Sequence, residues 1–112
     1  MKRGEIWTVA AGSGFGGKPR PCVILQDDAY ALIDSVTVAL CTSDFVEADF
    51  RVALQPTDRN GLAVPTWVMI DKIVTVPRTK LGSRLGAMTP AELTETNRAL
   101  LMFLGIAASI AT

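Results

Sequence analysis

The spacing of apolar residues changes once along this chain, at Thr89, and that change limits the folds open to it. Before Thr89, apolar residues form short runs separated by turn residues, as is typical of β-strands. The runs predicted to be strands are residues 5–9, 22–26, 36–41, 51–54, 66–70 and 73–76. At Thr89 the letters TPAE form a capping box with proline at the first helical position, and Leu93, Leu100 and Leu104 follow at helical spacing.

These patterns predict a mainly β fold with one C-terminal helix. Six short strands suit a small, strongly bent sheet of the SH3-like barrel type, closed by the helix. Segments 56–61 and 81–86 contain the glycines expected of chain reversals and are predicted to be turns. No repeat, linker or low-complexity tract divides the sequence, so residues 1–112 are predicted to form a single domain.

The 112 residues carry no net charge, but the charges are unevenly distributed. Residues 1–26 carry four basic and one acidic side chain, residues 27–58 one basic and seven acidic, and residues 59–84 five basic and one acidic. Nucleic-acid binding would therefore depend on a local basic patch rather than on the field of the whole molecule.

The sequence offers little for metal or disulfide chemistry. It has no histidine and two cysteines, Cys22 and Cys41, each inside an apolar run. Both thiols are predicted to be small buried groups in a reduced, cytoplasmic protein, and no metal or other cofactor is expected. The apolar tract 99–111 is shorter than the roughly 20 residues of a membrane helix, so a buried helix or a subunit interface is expected there.

A Pro-Arg-Pro sequence at residues 19–21 restricts one cation. Proline fixes its own φ and pushes the residue before it toward extended backbone, so Arg20 has little conformational freedom. The arginine can be held ready for a ligand, or it can belong to a proline-rich surface turn. These residues alone leave both interpretations open.

The preceding segment, AGSGFGGKP, matches two nucleotide-binding patterns. Gly12, Gly14 and Gly17 fit GxGxxG, and the stretch from Gly12 to Lys18 fits GxxxxGK. Both patterns require a helix directly afterwards, and the second requires Ser or Thr after the lysine, where this chain has Pro19. A flexible loop between the first two strands, with Lys18 near its end, is therefore predicted instead.

Polar residues end or interrupt two other apolar runs. Thr42 and Ser43 follow the longest strand signal, where adjacent hydroxyls can donate hydrogen bonds to a phosphate. A local turn in which they cap their own backbone is the commoner role. Asp71 interrupts a later run and is predicted to be either a turn residue or the partner of a basic side chain.

Taken in order, these segments resemble the MazF/PemK family of bacterial toxin endoribonucleases. The resemblance covers about residues 2–107 and rests on GEIWTV, the glycine-rich loop, KPRPCVILQ, VALCTS, DRNGLAVPTWVMIDKI, KLGSRLG and the terminal helix. It implies a PemK-type barrel that forms a homodimer and cleaves single-stranded RNA at short sequences without a metal. It also implies an antitoxin, whose extended segment would cover Arg20.

The resemblance assigns roles to matching positions of this chain. Arg20 would be the catalytic arginine and Thr42 the threonine that holds the scissile phosphate. Lys18, Ser43 and Asp71 would contact the RNA. Ser43 stands where other members have a second threonine, and the histidine that some members place in the first loop is absent.

The chemistry of RNA cleavage independently favours an arginine. Attack by the 2′-hydroxyl gives a pentacoordinate phosphorane, and a planar guanidinium donates two parallel hydrogen bonds to its oxygens. A guanidinium is a poor base because it stays protonated at neutral pH. Arg20 is therefore assigned to charge stabilisation, and the base is left open among Asp71, a loop carboxylate and water.

Two other functions are compatible with the same fold. A gyrase-poisoning toxin of the CcdB type would act through the C-terminal helix, which here contains LLMFLGIAAS without the tryptophan expected before it. A non-catalytic SH3-like binding module would use the Pro-Arg-Pro turn. The intact RP and CTS motifs favour the nuclease.

Overall fold

The computed structural model of the protein describes residues 1–10 and 18–107, which form one six-stranded sheet followed by a helix. The elements are β1 (Glu5–Val9), β2 (Arg20–Ile24), β3 (Ser35–Thr42), β4 (Arg51–Leu54), β5 (Thr66–Pro77), β6 (Leu81–Ala87) and α1 (Pro90–Phe103). The strands lie in the order β4-β5-β3-β2-β1-β6, and neighbours are antiparallel. The prediction of a mainly β fold with a C-terminal helix is confirmed.

The two edge strands, β4 and β6, approach each other through the turn that follows β4. The amide of Ala87 donates to the carbonyl of Arg59 at 3.0 Å. Gly61 has a φ of +67°, and a Cβ at this position would overlap the carbonyl of Leu85. The sheet is therefore bent as predicted, but within the described residues no continuous ladder closes it into a barrel.

The segments predicted as two strands, 66–70 and 73–76, form the single strand β5, so the predicted break between them is wrong. Opposite β3, Ala39 pairs with Ile73 and Cys41 pairs with Val68. Two residue steps in β3 therefore face five steps in β5. The extra residues form a bulge, which lets polar side chains lie inside a continuous strand.

The segment 81–86, predicted to be a turn, instead lies in β6. Its glycines allow close packing rather than a chain reversal. A Cβ at Gly82 would overlap the hydroxyl of Thr8, and a Cβ at Gly86 would overlap the carbonyl of Arg59. Glycine inside a strand is typical of such close approaches.

Each face of the sheet carries a buried hydrophobic core. The helix-side core consists of Ile6, Val23, Ala39, Cys41, Leu54, Leu62, Val68, Ile70, Met88 and Ala99. The core of the opposite face consists of Val9, Cys22, Ile24, Val36, Val38, Leu40 and Met69.

Both cysteines are buried and unbonded to each other, as predicted. They belong to the cores of opposite faces. Burial raises the pKa of the Cys22 thiol to about 12 and also raises the pKa of Cys41. Both thiols are therefore protonated at neutral pH and act as packing groups.

The predicted capping box begins helix α1. The Thr89 side chain accepts a hydrogen bond from the Glu92 amide, and the Glu92 carboxylate accepts one from the Thr89 amide. The helix buries Thr96 and Ala99 against the sheet. Its end is exposed: the apolar side chains of Leu101, Met102, Phe103, Leu104 and Ile106 are 40% to 64% accessible. Across residues 1–10 and 18–107, no helix is long and apolar enough to cross a membrane.

Candidate active site

Arg20 and Thr42 lie at neighbouring ends of β2 and β3. Arg20, predicted to precede its strand, is the first residue of β2, and Thr42 is the last residue of β3. In the ladder between these strands Cys22 faces Leu40. Extended by two residues, this register brings Arg20 level with Thr42.

The same row continues on both sides of this pair. Arg20 faces Val9 of β1, and Thr42 faces Trp67 of β5. Residues directly opposite each other in antiparallel strands project from the same face, with Cβ atoms about 5 Å apart. We refer to Val9, Arg20, Thr42 and Trp67 as the site row.

The site row lies on the face opposite the helix. Val9 belongs to the core of that face, and Cys22 and Leu40, each two residues from a member of the row, are buried in it as well. The buried core fixes the backbone under the row. The Nε atom of Arg20 is shielded from solvent, so this side chain is not a freely solvated surface cation.

The hydroxyl of Thr42 takes part in the local turn that the sequence suggested. Its Oγ1 accepts a hydrogen bond of 3.1 Å from the amide of Asp44. A threonine hydroxyl also carries one O–H donor, so this bond orients the group without using its proton. Ser43 and Lys18 are exposed close to the row, one residue after Thr42 and two residues before Arg20.

The predicted glycine-rich loop, including Gly12, Gly14 and Gly17, lies outside the described residues.

Asp71 is held by a basic side chain of the neighbouring strand β4. Arg51 donates from Nε to Oδ1 at 2.9 Å and from Nη2 to Oδ2 at 3.0 Å. These hydrogen bonds hold the pKa of Asp71 below its usual value. Of the two alternatives that the sequence left open for Asp71, the structure shows the basic partner and not the turn. Because of the bulge, Asp71 lies in the part of β5 that faces Leu40, and its contact with RNA stays a prediction.

Two aromatic residues at the site were not predicted from the sequence: Trp67, which belongs to the site row, and Phe45, which packs on it. The rings of Phe45 and Trp67 pack with centroids 5.3 Å apart and planes tilted by 60°. Phe45 lies three residues after Thr42, but Trp67 is distant in sequence and faces Thr42 only through the ladder. The available signal was the aromatic residue soon after the CTS motif.

The described segments, 1–10 and 18–107, contain no group of three or more His, Cys, Asp or Glu side chains placed to hold a metal ion. The polar groups gathered around the site row are instead a guanidinium and hydroxyls. These are donors suited to phosphate oxygens.

Comparison with known proteins gives consistent results. The sequence pattern of PemK-like, MazF-like toxins of type II toxin–antitoxin systems matches residues 2–104. The chain is 44% identical over 108 residues to the probable endoribonuclease MazF of Mycolicibacterium smegmatis, covering 96% of this chain and 99% of that protein.

Solved structures agree with the fold described above. An endoribonuclease from a mycobacterial species, in complex with its cognate antitoxin, superposes with a TM-score of 0.80 at 26% identity, covering 94% of this chain and 95% of the other. A MazE–MazF structure from Deinococcus radiodurans gives 0.74 at 22% identity, covering 94% and 95%, and supports the fold alone. With nearly its whole length matched, this chain belongs to the family of PemK-like, MazF-like toxins of type II toxin–antitoxin systems.

Proposed function

We propose that this protein is a toxin endoribonuclease that cleaves single-stranded RNA at short sequences, with Arg20 and Thr42 at the reacting phosphate. The observation that carries the proposal is the register of β2 and β3, in which Cys22 faces Leu40; continued by two residues, it puts Arg20 level with Thr42 on one face of the sheet. The relative from Mycolicibacterium smegmatis, described as a probable endoribonuclease, supports the same activity.

In the proposed reaction the 2′-hydroxyl of the RNA loses its proton and attacks the adjacent phosphorus. The bond from phosphorus to the 5′-oxygen of the next nucleotide then breaks, and that oxygen takes a proton from water. Arg20 donates two hydrogen bonds to the non-bridging oxygens, which carry most negative charge in the phosphorane. The Thr42 hydroxyl donates a hydrogen bond to the same oxygens, and Ser43 and Lys18 bind the neighbouring RNA backbone. Because Arg20 and Thr42 stand on paired strands over a buried core, they need little rearrangement as the charge develops.

The proton acceptor for the 2′-hydroxyl is better sought outside Asp71. Both carboxylate oxygens of Asp71 accept hydrogen bonds from Arg51, and its lowered pKa makes it a weaker base. Water and the carboxylates of the loop after Thr42 remain as acceptors. Asp44 is the nearest of these in sequence, and its amide already bonds to Thr42.

The proposed products are a 2′,3′-cyclic phosphate and a 5′-hydroxyl, formed without a metal ion. The sequence has no histidine, and the described residues lack a cluster of acidic metal ligands of the kind that two-metal nucleases use. The 2′-hydroxyl then supplies the nucleophile that a metal-bound water supplies in those enzymes.

The test is cleavage of a long single-stranded RNA in excess EDTA, followed by mapping of the ends. We expect fragments whose 5′ ends accept phosphate from a kinase without prior dephosphorylation. A 2′-deoxy substitution at a mapped position should abolish that cut. The Arg20→Lys protein, purified in parallel, controls for contaminating nucleases. A requirement for magnesium, or 5′-phosphate ends, would contradict the mechanism.

We propose two protein partners. An antitoxin would bind over Arg20 and block the site in the cytoplasm, as supported by the mycobacterial endoribonuclease solved with its cognate antitoxin. A second copy of the chain would cover the exposed apolar end of α1, which is unusual on the surface of a monomer. Light scattering at micromolar concentration should give twice the chain mass of 12.0 kDa, and a monomer mass would contradict the dimer.

A further inference from the structure

We infer that Phe45 and Trp67 form a stacking site for one nucleobase of the RNA, next to the phosphate bound by Arg20 and Thr42; this inference rests on the proposed function. It assigns a binding role to two residues that the sequence motifs leave without one.

The rings of Phe45 and Trp67 are accessible to solvent. Phe45 is 65% accessible although it packs against another ring, and Trp67 is only partly buried. Two aromatic rings in contact at the surface present a wide π face to solvent. Every nucleobase has a matching face, and stacking on aromatic side chains is how proteins bind single-stranded nucleic acids without relying on base edges.

The aromatic pair lies next to Thr42. Trp67 stands directly opposite Thr42 in the ladder between β3 and β5, so the two side chains leave the same face about 5 Å apart at Cβ. Phe45 follows Thr42 by three residues and packs on Trp67. A nucleotide whose phosphate rests on the Thr42 hydroxyl therefore has the aromatic pair beside it.

The surroundings of the aromatic pair are acidic. The loop that carries Phe45 also carries three exposed carboxylates, those of Asp44, Glu47 and Asp49. These repel the sugar–phosphate backbone, and they disfavour an acidic peptide on the same surface. An uncharged nucleobase avoids this repulsion, so the rings contact the base while Arg20 and Lys18 contact phosphate.

A second exposed aromatic residue supplies a control. Tyr30 is 60% accessible, close to the 65% of Phe45. It lies in the single turn of helix Asp28–Tyr30, which follows β2 at the end away from Arg20. Exposure is thus similar at the two positions, whereas proximity to Thr42 belongs to Phe45.

The experiment measures binding of an RNA that carries a 2′-deoxy substitution at the mapped cut and so stays intact. We expect Phe45→Ala to weaken binding about tenfold, as for loss of one stacked base. Phe45→Tyr should bind like the wild type because the ring is kept. Tyr30→Ala should also bind like the wild type, because that ring lies away from Thr42. Melting curves of all variants establish that each is folded.

A series of abasic substitutions identifies the stacked base. In the wild type, one abasic position next to the cut should weaken binding about tenfold. In Phe45→Ala the same abasic position should add almost no further loss, because the ring that it served is gone. An abasic penalty that is the same in both proteins would overturn the inference.

The outcomes also separate this inference from the proposed function. If the wild type cleaves RNA and Phe45→Ala binds it normally, the stacking site is wrong, the cleavage activity stands, and the aromatic pair is left to a protein ligand. If the wild type neither binds nor cleaves RNA, the proposed function fails and the stacking site fails with it.

Discussion

The helix-side face and the opposite face of the sheet have similar buried cores but differ in what borders those cores. Each carries a core of aliphatic residues that are at most 9% accessible. The helix-side core is covered by α1. The core of the opposite face ends at the site row, where the polar residues Arg20 and Thr42 are only partly buried. From this difference we predict that substitutions in either core lower stability, whereas substitutions of the polar groups in the site row lower cleavage.

The largest effect is expected for Arg20→Lys. Lysine keeps the charge but loses the second parallel hydrogen bond and the planar geometry, so it cannot replace a guanidinium that clamps a phosphorane. We predict that single-turnover cleavage falls by about two to three orders of magnitude while the melting temperature barely moves.

The matched control is Arg98→Lys, at an arginine exposed on α1 and paired with Glu95. It should cleave RNA at the wild-type rate. If Arg20→Lys also cleaves RNA at close to that rate, the Pro-Arg-Pro segment is a structural turn, and the site row is not the active site.

The next effect is on stability and comes from the other face. Ile70 is fully buried in the helix-side core. Ile70→Ala should lower the free energy of unfolding by about 3 kcal/mol, through lost burial and the cavity left behind. Denaturant titration measures the loss. Below the unfolding transition, cleavage per folded molecule should stay within about twofold of the wild type. A hundredfold slower rate in folded protein would show that the two faces are coupled.

A smaller loss of activity is expected for Thr42→Val, which keeps the shape of the side chain and removes the hydroxyl. It removes one donor to the phosphate and also the acceptor for the Asp44 amide. We predict single-turnover cleavage slower by about tenfold to thirtyfold, with Thr42→Ser close to the wild type. Cleavage by Thr42→Val at close to the wild-type rate would contradict a role for the hydroxyl, and equal losses in both variants would mean that the methyl group contributes as much as the hydroxyl.

The sequence predicted those parts of the fold that depend on neighbouring residues. The capping box at Thr89 is a local pattern, and the start of α1 follows from it. β1 and β4 have the predicted bounds because turn residues enclose each run. The wrong predictions concern segments whose structure depends on residues distant in sequence. β5 continues through Asp71 because a bulge accommodates that residue. The glycines of β6 allow close packing against Thr8 and Arg59 and do not form a turn.

The site divides in the same way. Arg20 and Thr42 could be named as candidates because each belongs to a short motif. Their alignment, and the approach of Trp67 to Thr42, depend on strand register, which joins residues far apart in sequence. Arg51 was missed as the partner of Asp71 for the same reason, since the two lie on different strands. Sequence motifs thus predicted candidate residues, and pairing decides which of them meet.

The smallest predicted effect concerns Asp71, the candidate residue that the fold places outside the site row. Its ion pair with Arg51 is largely buried, with side chains 21% and 12% accessible. Asp71→Asn should lower the free energy of unfolding by about 1 kcal/mol at pH 7. Because the pKa of Asp71 is lower in the folded protein than the unfolded value of about 3.9, this stabilisation is complete above that value and disappears as the pH falls through the folded pKa. The difference in the free energy of unfolding between wild type and variant should therefore be constant from pH 6 to 8 and shrink below about pH 4.

Glu95→Gln, at an exposed pair on α1, is the control and should change stability little at any pH. Cleavage by Asp71→Asn should stay within about fivefold of the wild type. A loss of a hundredfold or more, in a protein that melts normally, would make Asp71 part of the reacting site and remove the distinction between the site row and the Arg51 ion pair.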